Sequence, residues 1–144
     1  MAEKLTNTQV LACGCYHTKV YRIDNKQFQD IVSRAIDNIP QKYAKHIKNL
    51  AFVVEDEPSP EQRQRLKLGN HQTLFGLYEG VPLTRRVSNY NLVLPDKITI
   101  FKLPIEFSSN SEAELVGQVN NTVWHEVAHY YGLGHARIHE LENK

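Results

Sequence analysis

The chain has 144 residues, 41% hydrophobic and 23% charged, the proportions of one globular domain and not of a disordered or membrane-embedded chain. Its formal net charge of +1 gives no global pull toward nucleic acid or acidic membranes. No apolar run approaches the roughly 20 residues that a membrane helix needs.

The N-terminal stretch MAEKLTNTQVLACGCYHTK has no sustained apolar run before a cleavage site. No signal peptide is therefore expected, and the cytosol is the expected compartment. Cys13 and Cys15 are separated by one glycine, so a disulfide between them would close a strained ring and not a secreted-type framework. With His17 they offer half of a metal site, lacking a second cluster; the plainer reading is a loose or strand-forming segment. Residues 1–22 are read as a segment of their own, and residues 23–144 as one domain.

Asp24 to Ile39 predicts a helix, because Phe28, Ile31, Val32, Ala35 and Ile36 recur at three- and four-residue steps before Pro40. A short helix over Gln41 to Lys48 follows. LAFVVEDEP predicts a buried strand with an acidic exit, in which Asp56 and Glu57 either face a cleft or form an exposed turn. Ser59-Pro60-Glu61 opens a brief helix ending near Gly69, with serine as cap and proline in the first helical position. Gly76, Gly80 and Pro82 break the stretch LFGLYEGVPLTRR, which is read as irregular or hairpin-like chain near the surface. KITIFKL alternates as a strand. Ser111 and Glu114 form a capping-box signature. Leu115, Val119, Val123, Val127 and Tyr131 then recur every four residues, so a long helix is expected to end at Gly132. HARIHELE gives a final turn or short helix. Helices on one side of a small sheet make an α+β domain.

The last long helix carries HEVAHYYGLGH, His125 to His135. His125 and His129 lie four residues apart, one above the other on one helical face, where both imidazoles can reach one ion. Glu126 is rotated about 100° round the helix, in reach of a water at that ion without being a ligand. Zinc acidifies such a water, and the carboxylate takes its proton as the oxygen attacks a carbonyl. A catalytic zinc takes a third protein ligand and keeps the fourth position open. Gly132 and Gly134 let the chain end the helix and fold back, which brings His135 forward as that third ligand. H-E-x-x-H alone has three fixed positions and arises by chance in many proteins; the added glycine and third histidine make chance a poor account.

The blocks VVEDEPSPEQ, LFGLYEGVPLTRR, LPDKITIFKLPIE and TVWHEVAHYYGLGHARIHEL, in this order from Ile39 to about Leu141, resemble the minimal zincins, small bacterial zincin-like metallopeptidases. The resemblance implies a compact α+β fold with the active-site helix near the C-terminus, zinc on His125 and His129, and Glu126 as general base. The family's third-ligand place, here His135, is often an aspartate. Histidine there makes the motif look like a metzincin's. A metzincin has a methionine turn beneath the metal, and the only methionine here is Met1. Nine residues follow His135, so no large second subdomain is expected.

His139 and Glu140 compete with His135 for the third-ligand role, and Arg137 either pairs with a carboxylate that orients the site or is a solvated surface arginine. KITIFKL is the candidate strand edge for a substrate backbone, and Tyr78, Tyr130 and Tyr131 are candidate oxyanion stabilisers. Three functions stay open: a zinc peptidase acting on a peptide or protein, a zinc hydrolase of another substrate, and a zinc-holding module that binds a partner. Ribosomal-RNA-maturing endoribonucleases also space three histidines this way, but with glycine after the first. Glu126 and the lack of a basic patch favour the peptidase, and no nucleic-acid partner is expected.

Overall fold

The computed structural model describes residues 11–12, 20–86, 95–134, 136–137 and 140. Strand β1 (Leu11–Ala12) pairs antiparallel with β3 (Gln72–Thr73) in a small two-stranded sheet. Helix α1 (Asn25–Asp37) starts at Asp24, whose side chain accepts the Gln27 N–H while the Gln27 side chain accepts the N–H of Asp24. It turns Phe28, Ile31, Val32 and Ala35 inward, as the periodicity requires; Ile36 is half-buried. Helix α2 (Gln41–Ala44) is one turn, shorter than expected. Helix α3 (Pro60–Arg65) has the expected Ser59 cap, completed into a full capping box by Gln62.

The main sheet has the order β2-β5-β4. Strand β5 (Asp96–Phe101) lies in the middle, parallel to β2 (Leu50–Glu55) and antiparallel to β4 (Gly76–Glu79). Ile98, Ile100 and Tyr78 on one face meet α1 and the last helix, α5 (Glu112–Tyr130), through Leu115, Val119, Val123 and Val127. The other face carries Leu77 and Phe101, covered by Leu74 with Leu66 and Leu68. A middle strand covered on both faces is buried throughout, which is why Ile98, Thr99, Ile100 and Phe101 are all inaccessible.

Three expectations are corrected. LAFVV is not fully buried: as β2 it is the outer strand of the sheet among the described residues, and every residue of it is half-buried. LFGLYEGVPLTRR is not surface coil throughout: Gly76 to Tyr78 are buried β-strand, and only Leu83–Arg85 form a 3-10 turn. KITIFKL is strand only to Phe101; Lys102 begins helix α4 (Lys102–Ser108). Pro104 falls in the first turn of α4, where its missing N–H would have had no partner anyway. The buried Lys102 is held by Asn25 Oδ1 at 2.9 Å and by the Glu106 carboxylate at 3.5 Å, so its charge lies inside with two polar partners.

Helix α5 begins where the sequence indicates. Ser111 Oγ accepts the Glu114 N–H, but the Glu114 carboxylate reaches one residue further back, to the Asn110 N–H at 2.7 Å. It ends in a left-handed turn. Gly132 has φ +82°, its N–H donates to the His129 carbonyl, and the Leu133 N–H donates to that of Ala128. This pair of bonds satisfies the last carbonyls of the helix and requires a residue at ease with positive φ.

Candidate metal centre

The sequence places His125, Glu126 and His129 in the last two turns of α5, and the packing of that helix against β4 decides what surrounds them. His125 is 5% exposed and Glu126 2%. The His125 and His129 rings stand edge to face with centroids 4.8 Å apart, on one side of the helix. Nε2 of His125 and Oε2 of Glu126 are both buried, and among the described residues none donates a hydrogen bond to Oε2. The Glu126 carboxyl receives the backbone N–H of Tyr78 on β4.

Gly76 permits this approach. A Cβ there would lie 2.6 Å from the Thr122 methyl and 3.0 Å from Cγ of Glu126. Between the two elements is a cavity of about 10 Å³ lined by Phe75, Gly76, Thr122, His125 and Glu126. That is the lower limit of room for one water-sized group. Sequence reasoning read Gly76 as a chain breaker and missed Phe75 and Thr122; the available signal was a glycine within a run of strand-forming residues, a mark of close backbone approach.

The turn after α5 is fixed from outside. The Thr84 hydroxyl occupies the space beside Gly132, 2.1 Å from where a Cβ would stand. The 3-10 turn at 83–85 thus packs against the end of α5 at Gly132. His135 and His139 lie outside the described residues, as do Cys13, Cys15 and His17. Among the described residues, no set of three metal-ligating side chains gathers. Glu140 is exposed and pairs with Arg137 at 2.7 Å, so this arginine is a surface partner within its own turn.

The three candidate tyrosines have other tasks. Tyr78 donates to the buried Asp96 carboxylate at 2.6 Å, Tyr130 is bonded to the Lys48 backbone, and Tyr131 donates to the Tyr43 carbonyl. KITIFKL does not supply an edge, because β5 is the central strand; the strand beside Glu126 is β4.

Two imidazoles one helical turn apart suit a borderline-soft ion such as zinc. A buried carboxyl with one oxygen unbonded, beside room for a single small group, suits a base waiting for water. The donor set therefore fits the metal that the motif implies. A family model of zincin-like metallopeptidases matches residues 47–144, more than half of the chain. The chain belongs to that family.

A comparison with curated proteins finds no match. The zincin match begins after α1, yet α1 shares the zincin core, since Phe28, Ile31 and Val32 pack with Val119 and Val123 of α5. In this zincin, burial pushes the Glu126 carboxyl up to about 8, against the Tyr78 N–H that pulls it down. A general base needs a proton affinity near the working pH, and burial moves Glu126 in that direction.

Proposed function

We propose that this zincin is a zinc-dependent peptidase, with zinc held by His125, His129 and His135 and with Glu126 as general base. The observation that carries the reading is the buried Glu126 carboxyl, unbonded at Oε2, beside a cavity of about 10 Å³ and the His125–His129 pair. When bound, zinc supplies a Lewis acid that acidifies water and polarises the scissile carbonyl. Glu126 takes the proton of the attacking water at its unbonded oxygen and passes it to the leaving amine. The Tyr78 N–H holds the other side of the carboxyl in place, so the base is oriented before substrate arrives.

The substrate backbone is proposed to run along the outer edge of β4. Phe75 turns its carbonyl toward β5, where the Phe101 N–H donates to it at 2.8 Å. By strand alternation Gly76 and Tyr78 turn outward, toward the side where Glu126 stands. With the Tyr78 N–H given to Glu126, a peptide adding there would pair through Gly76 and the Tyr78 carbonyl and bring a carbonyl past the histidine pair.

Metal content by mass spectrometry, on untagged protein purified without chelator, tests the site. Wild type is expected to hold about one zinc per chain and His125→Ala none. Glu126→Gln is expected to keep the zinc and to lose about 10²-fold or more of peptide-library cleavage, since it removes the base and spares the ligands. Cleavage that survives in Glu126→Gln removes it as the base. Wild type that takes up no zinc, even when zinc is added back, replaces the peptidase with a partner-binding module on this fold.

A further inference from the structure

Strand β2 is the outer strand of the main sheet, and among the described residues no strand pairs with its far side. The Asp96 N–H donates to the Asn49 carbonyl at 3.0 Å, so Asn49 faces β5. In a parallel ladder a residue turns its N–H and C=O to the same side, and sides alternate along the strand. Ala51, Val53 and Glu55 therefore also face β5, and the backbone groups of Leu50, Phe52 and Val54 point out of the sheet. Apolar edge strands of this kind are commonly blunted by a charge, a proline or a bulge within the strand. Here the five residues Leu50–Val54 carry none.

The flanks of the strand carry opposite charges. Lys45 and Lys48 precede it and Asp56 and Glu57 follow it, all four exposed. The sequence KHIKNLAFVVEDE thus runs from basic to apolar to acidic.

We propose that β2 pairs antiparallel with β2 of a second copy of this chain, joining two sheets across a two-fold axis through Phe52. A two-fold axis perpendicular to the sheet keeps each face continuous, so only residues of the same parity stand opposite one another. With Phe52 opposite its own counterpart, Leu50 meets Val54, and all three are the outward-turned residues that bond across the junction. The antiparallel sense brings the segment before each strand, with exposed Lys45 and Lys48, to the end where the segment after the other strand leaves with exposed Asp56 and Glu57. The core-side row of Leu50, Phe52 and Val54 continues from one copy into the next. The fit needs no side chain to change face, and both ends are attractive. A parallel pairing would instead set lysine against lysine. This surface is separate from the zincin site, which lies at the opposite edge on β4.

Sedimentation equilibrium over a concentration series, with native mass spectrometry of mixtures, tests it. Wild type is expected to dimerise and to shift toward monomer in high salt. The variants Lys45→Glu/Lys48→Glu and Asp56→Lys/Glu57→Lys, checked for folding by circular dichroism, are each expected to be monomeric. Mixed in equal amounts, one has two acidic ends and the other two basic ends, and a heterodimer is expected to return. A wild type that stays monomeric at every concentration overturns the proposal. So does a dimer that either charge-reversed variant retains, or one that both variants lose and mixing fails to restore.

Discussion

Glu126 is the residue to which the proposed function assigns the proton transfers, and its burial makes the protein's stability depend on pH. Its folded-state value, about 8, lies above the ordinary 4.5. Between those limits the folded chain holds a proton that the unfolded chain has released, so stability falls as pH rises through the window. The thermal midpoint of metal-free protein is expected to drop between pH 5.5 and pH 8. In Glu126→Gln most of that difference should disappear; an equal slope in both proteins would assign it to other groups. The residue itself was legible in HEVAHYYGLGH, because motif spacing alone puts it beside the two histidines. Its environment was not, because the Tyr78 N–H and Thr122 come from contacts between distant elements.

At the scale of elements, the approach of β4 to α5 is the contact on which the site depends. Gly76→Ala would put a methyl 2.6 Å from the Thr122 methyl, and overpacking of this kind costs about 1–3 kcal/mol. Urea denaturation is expected to show that loss. Thr122→Ser in the same chain removes the methyl in the way and should recover part of it. A double variant no more stable than Gly76→Ala alone would place the collision elsewhere. Local rules served well for helix starts: Ser59 and Ser111 cap as expected, and Asp24, read as the first residue of α1, caps it. They served poorly for LFGLYEGV, where glycine was taken as a turn residue although it marks a strand pressed against a helix.

For the whole molecule, Asp96 joins segments far apart in the chain. Its buried carboxylate receives the Tyr78 hydroxyl at 2.6 Å and the Arg86 guanidinium at 2.5 Å. Gly80 lets the carboxylate lie against the backbone, since a Cβ there would fall 2.3 Å from the Asp96 Cγ. Arg86 also lies over the Tyr130 ring, 5.3 Å from its centroid, and so ties the segment carrying Thr84 to the end of α5. Arg86→Ala would leave a buried carboxylate without its counter-charge, which costs about 3–5 kcal/mol. Against the roughly 5–15 kcal/mol of a typical domain, that is a large share. Urea unfolding of Arg86→Ala beside Arg86→Lys measures it; a change under about 1 kcal/mol would mean that Asp96 is held well enough by Tyr78.

The sequence by itself determined where α1, α3 and α5 begin, the inward stripe of α5, the spacing of His125, Glu126 and His129, and the family that these features resemble. Each is written in residues a few positions apart, where 3.6-residue periodicity and capping act without outside help. Only the tertiary structure decided that KITIF is the central strand, that LAFVV is an edge, that Gly76 admits Glu126 to β4, and that Thr84 backs the turn at Gly132. Strand order and close approach are relations between segments tens of residues apart, and apolar periodicity marks which face is buried without naming the partner that covers it.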